Sequence, residues 1–296
     1  MIPFELMSLP SPVVDQAYCN ISALEAENIG LPLKVYIDTP ANQVLLAPSL
    51  SFLIQHVKRP EKLVFDLVIR RDWLNLPPQA IAIDYENNFD LRVQQDIVDS
   101  LAKGGLEPTD INTVCLSHCH FDHVGDHKLF PTGTFMVGAA AAELFEPGYP
   151  TNPTSSFSSD LLPHDRTLYL KSDGWKPIGP FPHGLDFYGD GSLYIVDSLG
   201  HHPGHLNILA RTSSDGVWLL LAGDSAHHWS ILTGESEIAT AHGCAHVDKE
   251  AAERHIARIQ DLMKQPRVRI LLAHDDPWYK ENKEGSSFFP GKIASL

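Results

Sequence analysis

Cysteine is scarce in this sequence of 296 residues. The four cysteines, Cys19, Cys115, Cys119 and Cys244, form no CxxC pair. A zinc ribbon is therefore not supported, and a reduced, cytoplasmic protein fits best. Cys119 lies between two histidines, and these neighbours are better candidates for metal ligands than the thiol.

Basic residues are also few, with 22 Lys and Arg against 37 Asp and Glu, and the formal net charge is −15. A protein that binds nucleic acid needs a basic stripe on its surface, so the composition argues against such a partner. Metal ligands could account for part of the acidic excess, since a bound cation would offset their charge.

Long hydrophobic runs are missing. No window of about 18 apolar residues occurs, so we expect no membrane span and no membrane partner. The N-terminal stretch MIPFELMSLPSPVV lacks the basic start and the apolar stretch of a signal peptide. Hydrophobic residues still make up 43% of the chain, which is enough for a large core. Because no linker or short repeat is visible, residues 1–296 are expected to form one domain.

Each half of the chain shows strand patterns that end with a helix and a further strand. Residues 31–70 read as several strands separated by turn residues. Residues 89–105 and 248–266 carry apolar side chains at helical spacing. Gly104 is the expected C-cap of the first helix, and Asp248 is the expected N-cap of the second. This order suggests a two-layer β core with helices outside.

A stretch rich in Pro, Ser and Asn, residues 147–166, predicts a long loop. Loops of this length inside a compact domain are often functional. We therefore expect this loop to cover a binding site as a lid.

The segment SHCHFDHVGD gathers four potential metal ligands in six positions: His118, His120, Asp122 and His123. Side chains at i and i+2 of an extended backbone point the same way, so the first two histidines can hold one ion together. Asp122 and His123 follow where the chain turns, and so face a second point. Imidazole and carboxylate suit Zn²⁺ or a similar cation.

Further candidates follow three other apolar strands. GHHPGH supplies His201, His202 and His205, WLLLAGD ends in Asp224, and ILLAHD contains His274. Polar ligands placed directly after strands are typical of a site at the edge of a sheet sandwich. A carboxylate has two oxygens, so Asp224 can bridge two ions.

Together these segments resemble those of the metallo-β-lactamase superfamily. The matching pieces are FDL with Asp66, the HxHxDH motif, GHHPGH, AGD and AHD, in the family's order over residues 66–275. The resemblance implies an α/β fold, a four-layer αββα sandwich. GHHPGH is similar to the GHxPGH segment of N-acyl-homoserine lactonases, and the longer run resembles a group of fungal metallo-hydrolases.

The resemblance implies a dinuclear metal centre with seven ligands. The first ion would be bound by His118, His120 and His201, the second by Asp122, His123 and His274, and Asp224 would bridge them. The cofactors are then two Zn²⁺ per chain, with Mn, Fe or Co as alternatives.

Three residues near the implied ligands have other expected roles. Asp66 resembles the family's buried aspartate that orients ligands by hydrogen bonding. His202 fills the variable position of its segment and is expected to line the pocket. His205 is expected to support the ligands from behind or to be structural.

The sequence departs from the family at two positions. The family's DTG is DLV here, so Val68 stands in place of glycine and the turn after Asp66 could differ. The lactonases commonly place a tyrosine three residues after the bridging aspartate, where this chain has His227, followed by His228. His227 could donate a hydrogen bond to a substrate carbonyl, or it could pack at the start of a helix.

The resemblance implies hydrolysis of a small-molecule carbonyl compound by a hydroxide that bridges two metal ions. A lactonase is favoured, because of the GHxPGH segment and because aromatic residues near the ligands, Phe121, Trp229, Trp278 and Tyr279, could line an apolar pocket. Asp122 could also carry the proton as the ring opens. A lactam or amide hydrolase or a thioesterase is the close alternative. A single-iron sulfur dioxygenase, a ribonuclease and a non-catalytic binding protein are weaker ones.

Overall fold

The computed structural model describes residues 8–25, 28–39, 42–87, 89, 91, 93, 95–241, 243–283 and 285–296. Fourteen strands lie within these residues, in two six-stranded sheets and one two-stranded ribbon. They are β1 Cys19–Leu24, β2 Asn28–Pro32, β3 Val44–Pro48, β4 Ser51–His56, β5 Lys62–Phe65, β6 Thr113–Cys115, β7 Thr134–Gly138, β8 Thr167–Leu170, β9 Lys176–Ile178, β10 Phe181–Asp186, β11 Leu193–Asp197, β12 Leu206–Arg211, β13 Trp218–Leu221 and β14 Val268–Leu271.

The first sheet has the order β1-β4-β5-β6-β7-β8, and the second has the order β14-β13-β12-β11-β10-β9. From β5 to β8 the neighbouring strands of the first sheet are parallel. In the second sheet β13 and β14 are parallel, whereas the other pairs are antiparallel. The ribbon pairs β2 with β3.

Seven α-helices are described: α1 Leu33–Tyr36, α2 Pro78–Asn87, α3 Ile97–Ala102, α4 Phe121–Val124, α5 Trp229–Thr233, α6 Lys249–Met263 and α7 Asp276–Asn282. Short 3₁₀ turns lie at Trp73–Asn75, Pro108–Asp110, His127–Leu129 and Ala139–Leu144. None of the helices in the described residues is long and apolar enough to cross a membrane.

The core is divided into layers by the alternation of side chains along the strands. In β4, Phe52 and Ile54 point into the cluster between the two sheets, whereas Leu53 points into a second cluster beneath α3. On the outer face of the second sheet, Ile256 and Ile259 of α6 pack with the buried strand residues. The order helix, sheet, sheet, helix confirms the four-layer αββα sandwich.

The predicted helix at 248–266 is confirmed, because α6 begins after Asp248, whose side chain accepts a hydrogen bond from the Ala251 amide. The prediction for residues 89–105 is wrong at both ends. The Asp96 carboxylate caps the amides of Val98 and Asp99, so the helix starts only at Ile97. At the other end Gly105, rather than Gly104, takes the left-handed conformation, with φ 75°.

The sequence patterns also did not predict every secondary-structure element of the N-terminal half. The strands expected in residues 31–70 are present, but β1 lies before them and Leu33–Tyr36 forms a helical turn. Helix α2 carries no strong periodic signal and was not expected. Residues 147–166 contain no helix or regular strand, as the composition predicts.

Candidate metal centre

The motif at 117–126 is held in place by the segment that follows β5. The Leu67 amide donates to the His123 carbonyl at 2.7 Å, and the Asp66 amide donates to the Cys115 carbonyl at 3.0 Å. Helix α4 is capped by Gly125, with φ 55°, where a Cβ atom would lie 2.4 Å from the Leu67 Cβ atom. Glycine is therefore required here, both for its backbone angle and for this close approach.

Val68 keeps the backbone that a glycine would adopt. Its φ is 56°, in the left-handed region that a β-branched residue rarely enters. The cost of such a conformation is about 1–2 kcal/mol. The Val68 side chain is 2% exposed and belongs to the core cluster beneath α3, so its burial offsets this strain. The chain therefore adopts a left-handed backbone at position 68 without a glycine.

Four side chains from separate strand ends form the first donor group: His118, His120, His201 and Asp224. The His118 Nε2 and His120 Nδ1 atoms are 2.8 Å apart, and His201 Nε2 lies 3.2 and 3.1 Å from them. The Asp224 Oδ2 atom lies 3.5 Å from His201 Nε2. Ligands of a tetrahedral zinc ion at 2.0–2.1 Å are about 3.3 Å apart, so these spacings suit one ion.

Asp122, His123, Asp224 and His274 form the second donor group. His274 Nε2 lies 3.4 Å from Asp122 Oδ2 and 3.5 Å from Asp224 Oδ1. His123 Nε2 lies 3.3 Å from Asp224 Oδ2. Asp224 belongs to both groups, as a bridging carboxylate would.

Hydrogen bonds on the outer side of the rings orient the histidines of both groups. His123 Nδ1 donates to Asp66 Oδ2 at 2.9 Å, and His274 Nδ1 donates to the Pro48 carbonyl at 2.8 Å. His118 Nδ1 lies 3.0 Å from Ser117 Oγ, whose own hydroxyl donates to Asp66 Oδ2 at 2.8 Å. These bonds put the ring proton on Nδ1, so each Nε2 keeps its lone pair for a metal ion.

The charges of the donors are strongly coupled. Burial lowers the pKa of His118 and His201 well below the usual range, and it lowers the pKa of His120 to about 4. Burial also opposes charge on His123, but the Asp224 and Asp122 carboxylates outweigh it and raise the pKa of His123 well above its usual value. The centre thus combines neutral imidazoles with ionised carboxylates, and these carboxylates favour a cation placed between the donors.

The donor set fits two metal ions of the zinc type. His123 Nε2 and Asp224 Oδ1 are buried, and within the described residues neither makes a hydrogen bond. An unpaired buried carboxylate oxygen is costly, unless it is a metal ligand. Imidazole and carboxylate donors at these spacings suit Zn²⁺, as well as Mn, Fe or Co.

His202 and His205 lie on different sides of this centre. His205 accepts a hydrogen bond at Nε2 from the Asp224 amide, at 3.2 Å, and its Nδ1 contacts Ser198. It therefore supports Asp224 from behind. His202 faces the opposite way, with its ring 4.3 Å from the His120 ring, and lines the adjacent cavity.

The two neighbouring histidines after Asp224 point apart. His227 Nε2 lies 3.2 Å from Asp224 Oδ2, and the His227 ring lies 4.4 Å from the ring of Tyr36. His228 instead caps α5, where its Nδ1 accepts from the Ser230 amide at 3.2 Å. Only His227 therefore takes part in the centre.

His246 is a residue of the site that the sequence did not reveal. Its ring is buried, 5.2 Å from the His201 ring and 5.4 Å from the His227 ring. Neither ring nitrogen has a hydrogen-bond partner among the described residues. It occurs in GCAHVD without any ligand spacing, so no sequence signal distinguished it from an ordinary histidine.

A cavity of about 610 Å³ opens onto the donors. Its apolar lining includes Ile29, Val35, Tyr36, Leu76, Phe89, Phe121, Leu144, Phe157 and Leu161. Phe157 and Leu161, with Ser156, come from the loop at 147–166, and the Phe157 ring lies 5.6 Å from the His202 ring. The loop thus forms one wall of the cavity.

The expectation that four aromatic residues near the ligands line the pocket holds only for Phe121. Trp229, Trp278 and Tyr279 lie elsewhere, because α5 and α7 begin directly after the ligand segments and turn these side chains away. The Trp278 ring, for example, packs 5.7 Å from the ring of Phe288.

Comparison with known proteins agrees with this architecture. The Metallo-beta-lactamase superfamily matches residues 78–274. Gamma-lactamase MBL2 of Gibberella moniliformis (strain M3125 / FGSC 7600) is 40% identical over 174 residues, which are 56% of this chain and 71% of that protein.

Cytochrome P450 monooxygenase mpaDE' of Penicillium brevicompactum is 32% identical over 283 residues. That match takes in 86% of this chain but 32% of the relative, so the chain spans about a third of its length. A solved N-acyl homoserine lactone hydrolase, with N-hexanoyl-L-homoserine bound at its catalytic metal center, shares the fold. Its TM-score is 0.67 at 19% identity, over 93% of this chain and 98% of that one. By its sequence match, its sheets and its donor groups, the chain belongs to the metallo-β-lactamase superfamily.

Proposed function

We propose that this protein is a dinuclear-metal hydrolase that opens a cyclic ester, a lactone. The observation that carries the proposal is that Asp224 is shared by two donor groups, beside an apolar cavity of about 610 Å³. His118, His120 and His201 would hold one ion, and Asp122, His123 and His274 the other. When bound, two such ions supply an activated water and polarise the carbonyl that it attacks.

Asp122 is the candidate catalytic residue of the chain, and His227 is a candidate positioning residue. Asp122 lines the cavity as a member of the second donor group, so its carboxylate can accept a proton from water and return it to the ring oxygen as the ester bond breaks. His227 Nε2 faces the Asp224 carboxylate at 3.2 Å, which keeps that carboxylate turned toward both donor groups.

The cavity favours a substrate with an apolar part next to its ring. Phe89 and Phe121 pair at 5.8 Å between ring centroids, and Phe157 of the loop at 147–166 lines the same cavity. Such a wall provides contact area for an aromatic or aliphatic substituent, and it offers few polar partners.

Hydrolysis of a γ-lactam is the second candidate, and the 40% identity with a gamma-lactamase favours it. Both reactions attack a carbonyl within a small ring, and the same residues can serve both. The leaving atom differs, since an amide nitrogen needs a proton more than an ester oxygen does. Asp122 would therefore contribute more to lactam than to lactone opening.

A panel of substrates matched in ring size and substituent tests the proposal. Purified, metal-loaded protein is assayed with a γ-lactone, the corresponding γ-lactam, an open-chain ester and a thioester, and its metal content is measured alongside. Two equivalents of metal and preferential lactone hydrolysis support the proposal. A lactam preference supports the second candidate, whereas a single iron with no hydrolysis supports an oxygenase instead.

Two ligand variants and one matched control complete the test. His120→Ala and His274→Ala each remove one donor group's imidazole and should lose metal and activity. His164→Ala removes an exposed histidine outside both groups and should change neither. Full retention of two equivalents in both ligand variants would overturn the assignment.

A further inference from the structure

Tyr36 reaches the metal centre from the other end of the chain. It is the last residue of α1, is 8% exposed, and lines the same cavity as His120, Asp122 and Asp224. Its ring lies against the His227 ring, 4.4 Å between centroids at an angle of 32°. No motif in the sequence connects this tyrosine with the ligands, because it precedes the first of them by more than eighty positions.

The backbone around Tyr36 is fixed on both sides. The Ala239 amide donates to the Tyr36 carbonyl at 3.2 Å, and the Asp38 amide donates to the Glu237 carbonyl at 3.0 Å. The Ile37 amide closes the helical turn onto the Leu33 carbonyl at 2.8 Å. These bonds place the phenol before a substrate arrives, which is the condition for effective stabilisation of a transition state.

His227 is poorly placed to donate to a substrate carbonyl. Its Nδ1 is buried and has no partner among the described residues. Its Nε2 lies 3.2 Å from a carboxylate oxygen of Asp224, and a carboxylate is a stronger acceptor than an ester carbonyl. A substrate would have to compete with Asp224 for the one N–H that faces the centre.

The Tyr36 hydroxyl has no such competitor. Within the described residues no hydrogen bond to another group holds it, and it remains available to the cavity. A phenol ordinarily titrates at about pH 10, so the hydroxyl carries its proton at neutral pH and can donate a hydrogen bond to an oxyanion.

We propose that Tyr36 is a catalytic residue that donates a hydrogen bond to the substrate carbonyl oxygen, in the position that His227 cannot fill. This role rests on the proposed function. As the oxygen of water bonds to the carbonyl carbon, the carbonyl π pair moves onto the carbonyl oxygen, where the phenol O–H stabilises it. The bond between the acyl carbon and the ring oxygen then breaks, and that oxygen receives the proton that Asp122 took from the water. The products are a carboxyl group and an alcohol on one chain.

The test compares Tyr36→Phe with wild type on the best substrate of the matched panel. Loss of one oxyanion donor lowers kcat by about 10²–10³-fold. We expect that loss at Tyr36→Phe with little change in KM and with two equivalents of metal retained. Tyr194→Phe is the matched control, because that half-buried phenol packs on Trp218, in the second sheet's outer cluster, and should change nothing.

The outcomes separate this role from the proposed function. A wild-type enzyme that hydrolyses none of the panel overturns both. An active wild type with equally active Tyr36→Phe overturns the role of Tyr36 alone. Should Tyr36→Phe lose metal or melt early, 3-fluorotyrosine at position 36 keeps the ring and strengthens the donor. A changed kcat with 3-fluorotyrosine at position 36, and an unchanged kcat with 3-fluorotyrosine at position 194, supports the role of Tyr36. An unchanged kcat with 3-fluorotyrosine at position 36 overturns it.

Discussion

Replacing Asp66 with asparagine tests whether the tautomer of His123 controls the second metal site. Asp66 Oδ1 accepts from the Ser117 amide at 2.6 Å, so the amide oxygen of asparagine must take that place. Its NH₂ group then occupies the Oδ2 position, 2.9 Å from His123 Nδ1. Two donors would face each other, unless the ring proton of His123 moves to Nε2. That move removes the lone pair that would bind metal.

The size of the effect follows from the lost bond. A hydrogen bond to a charged group contributes about 1.5–3 kcal/mol. Loss of an outer partner of a metal ligand costs about 10–100-fold in affinity. At 1.36 kcal/mol for each factor of ten, that loss equals roughly 1.4–2.7 kcal/mol. The two ranges agree, so we expect the dissociation constant of the second ion to rise by about 10–100-fold.

The first ion should be affected less. Its nearest connection to Asp66 runs through the Ser117 hydroxyl, which lies 3.0 Å from His118 Nδ1. Since this hydroxyl can rotate and still accept a bond from the new amide, His118 loses less than His123 does.

Titration with zinc in a chelator-buffered solution measures both affinities, and metal content after dialysis gives the stoichiometry. Asp190→Asn is a matched control, because Asp190 Oδ2 lies 2.9 Å from His56 Nε2 in a histidine–aspartate pair outside both donor groups. If Asp66→Asn binds both ions as wild type does, or if Asp190→Asn weakens them equally, the tautomer argument is refuted.

Four further predictions rest on the contacts described above. Phe157→Ala should raise KM more than it lowers kcat, because this side chain forms part of the cavity wall without touching the donors. Limited proteolysis within residues 147–166 should slow when product is bound. Equal cleavage with and without product would refute the idea that this loop covers the site. His228→Ala should destabilise the fold by about 0.5–2 kcal/mol through loss of the α5 cap while kcat stays unchanged, which thermal melting and steady-state kinetics together check. Removal of metal with a chelator should lower the melting temperature, and readdition at 100 times the dissociation constant should restore about 2.7 kcal/mol per site; a melting temperature independent of metal would contradict this.

The ligand segments were visible in the sequence because each follows an apolar strand directly. A buried strand fixes where its last residue lies, so His118, Asp224 and His274 could be placed at one edge of the sheet sandwich from pattern alone. The order of strands and helices likewise indicated a two-layer β core with helices outside. Each of these ligand patterns is read within one short segment, and the segment has the predicted structure in the folded protein.

The remaining features depend on contacts between distant parts of the chain. Helical spacing of Val93 with Ile97 suggested one long helix, but the Asp96 carboxylate captured the amides of the first turn and shortened it. Tyr36 and His246 meet the ligands only through tertiary packing, and single residues without spacing carry no sequence signal. Trp278 was expected to line the pocket because it lies close to His274 in the sequence. Helix α7 begins at Asp276, however, and carries the Trp278 side chain away from the cavity.

Each donor group draws its members from both halves of the molecule. The ligands after β6 belong to the first sheet, whereas those after β11, β13 and β14 belong to the second. During synthesis, the N-terminal half can therefore present His118 and His120 but never a complete coordination sphere. Tight binding of a metal ion would therefore require both sheets, because only the complete sandwich brings all four donors of each group together.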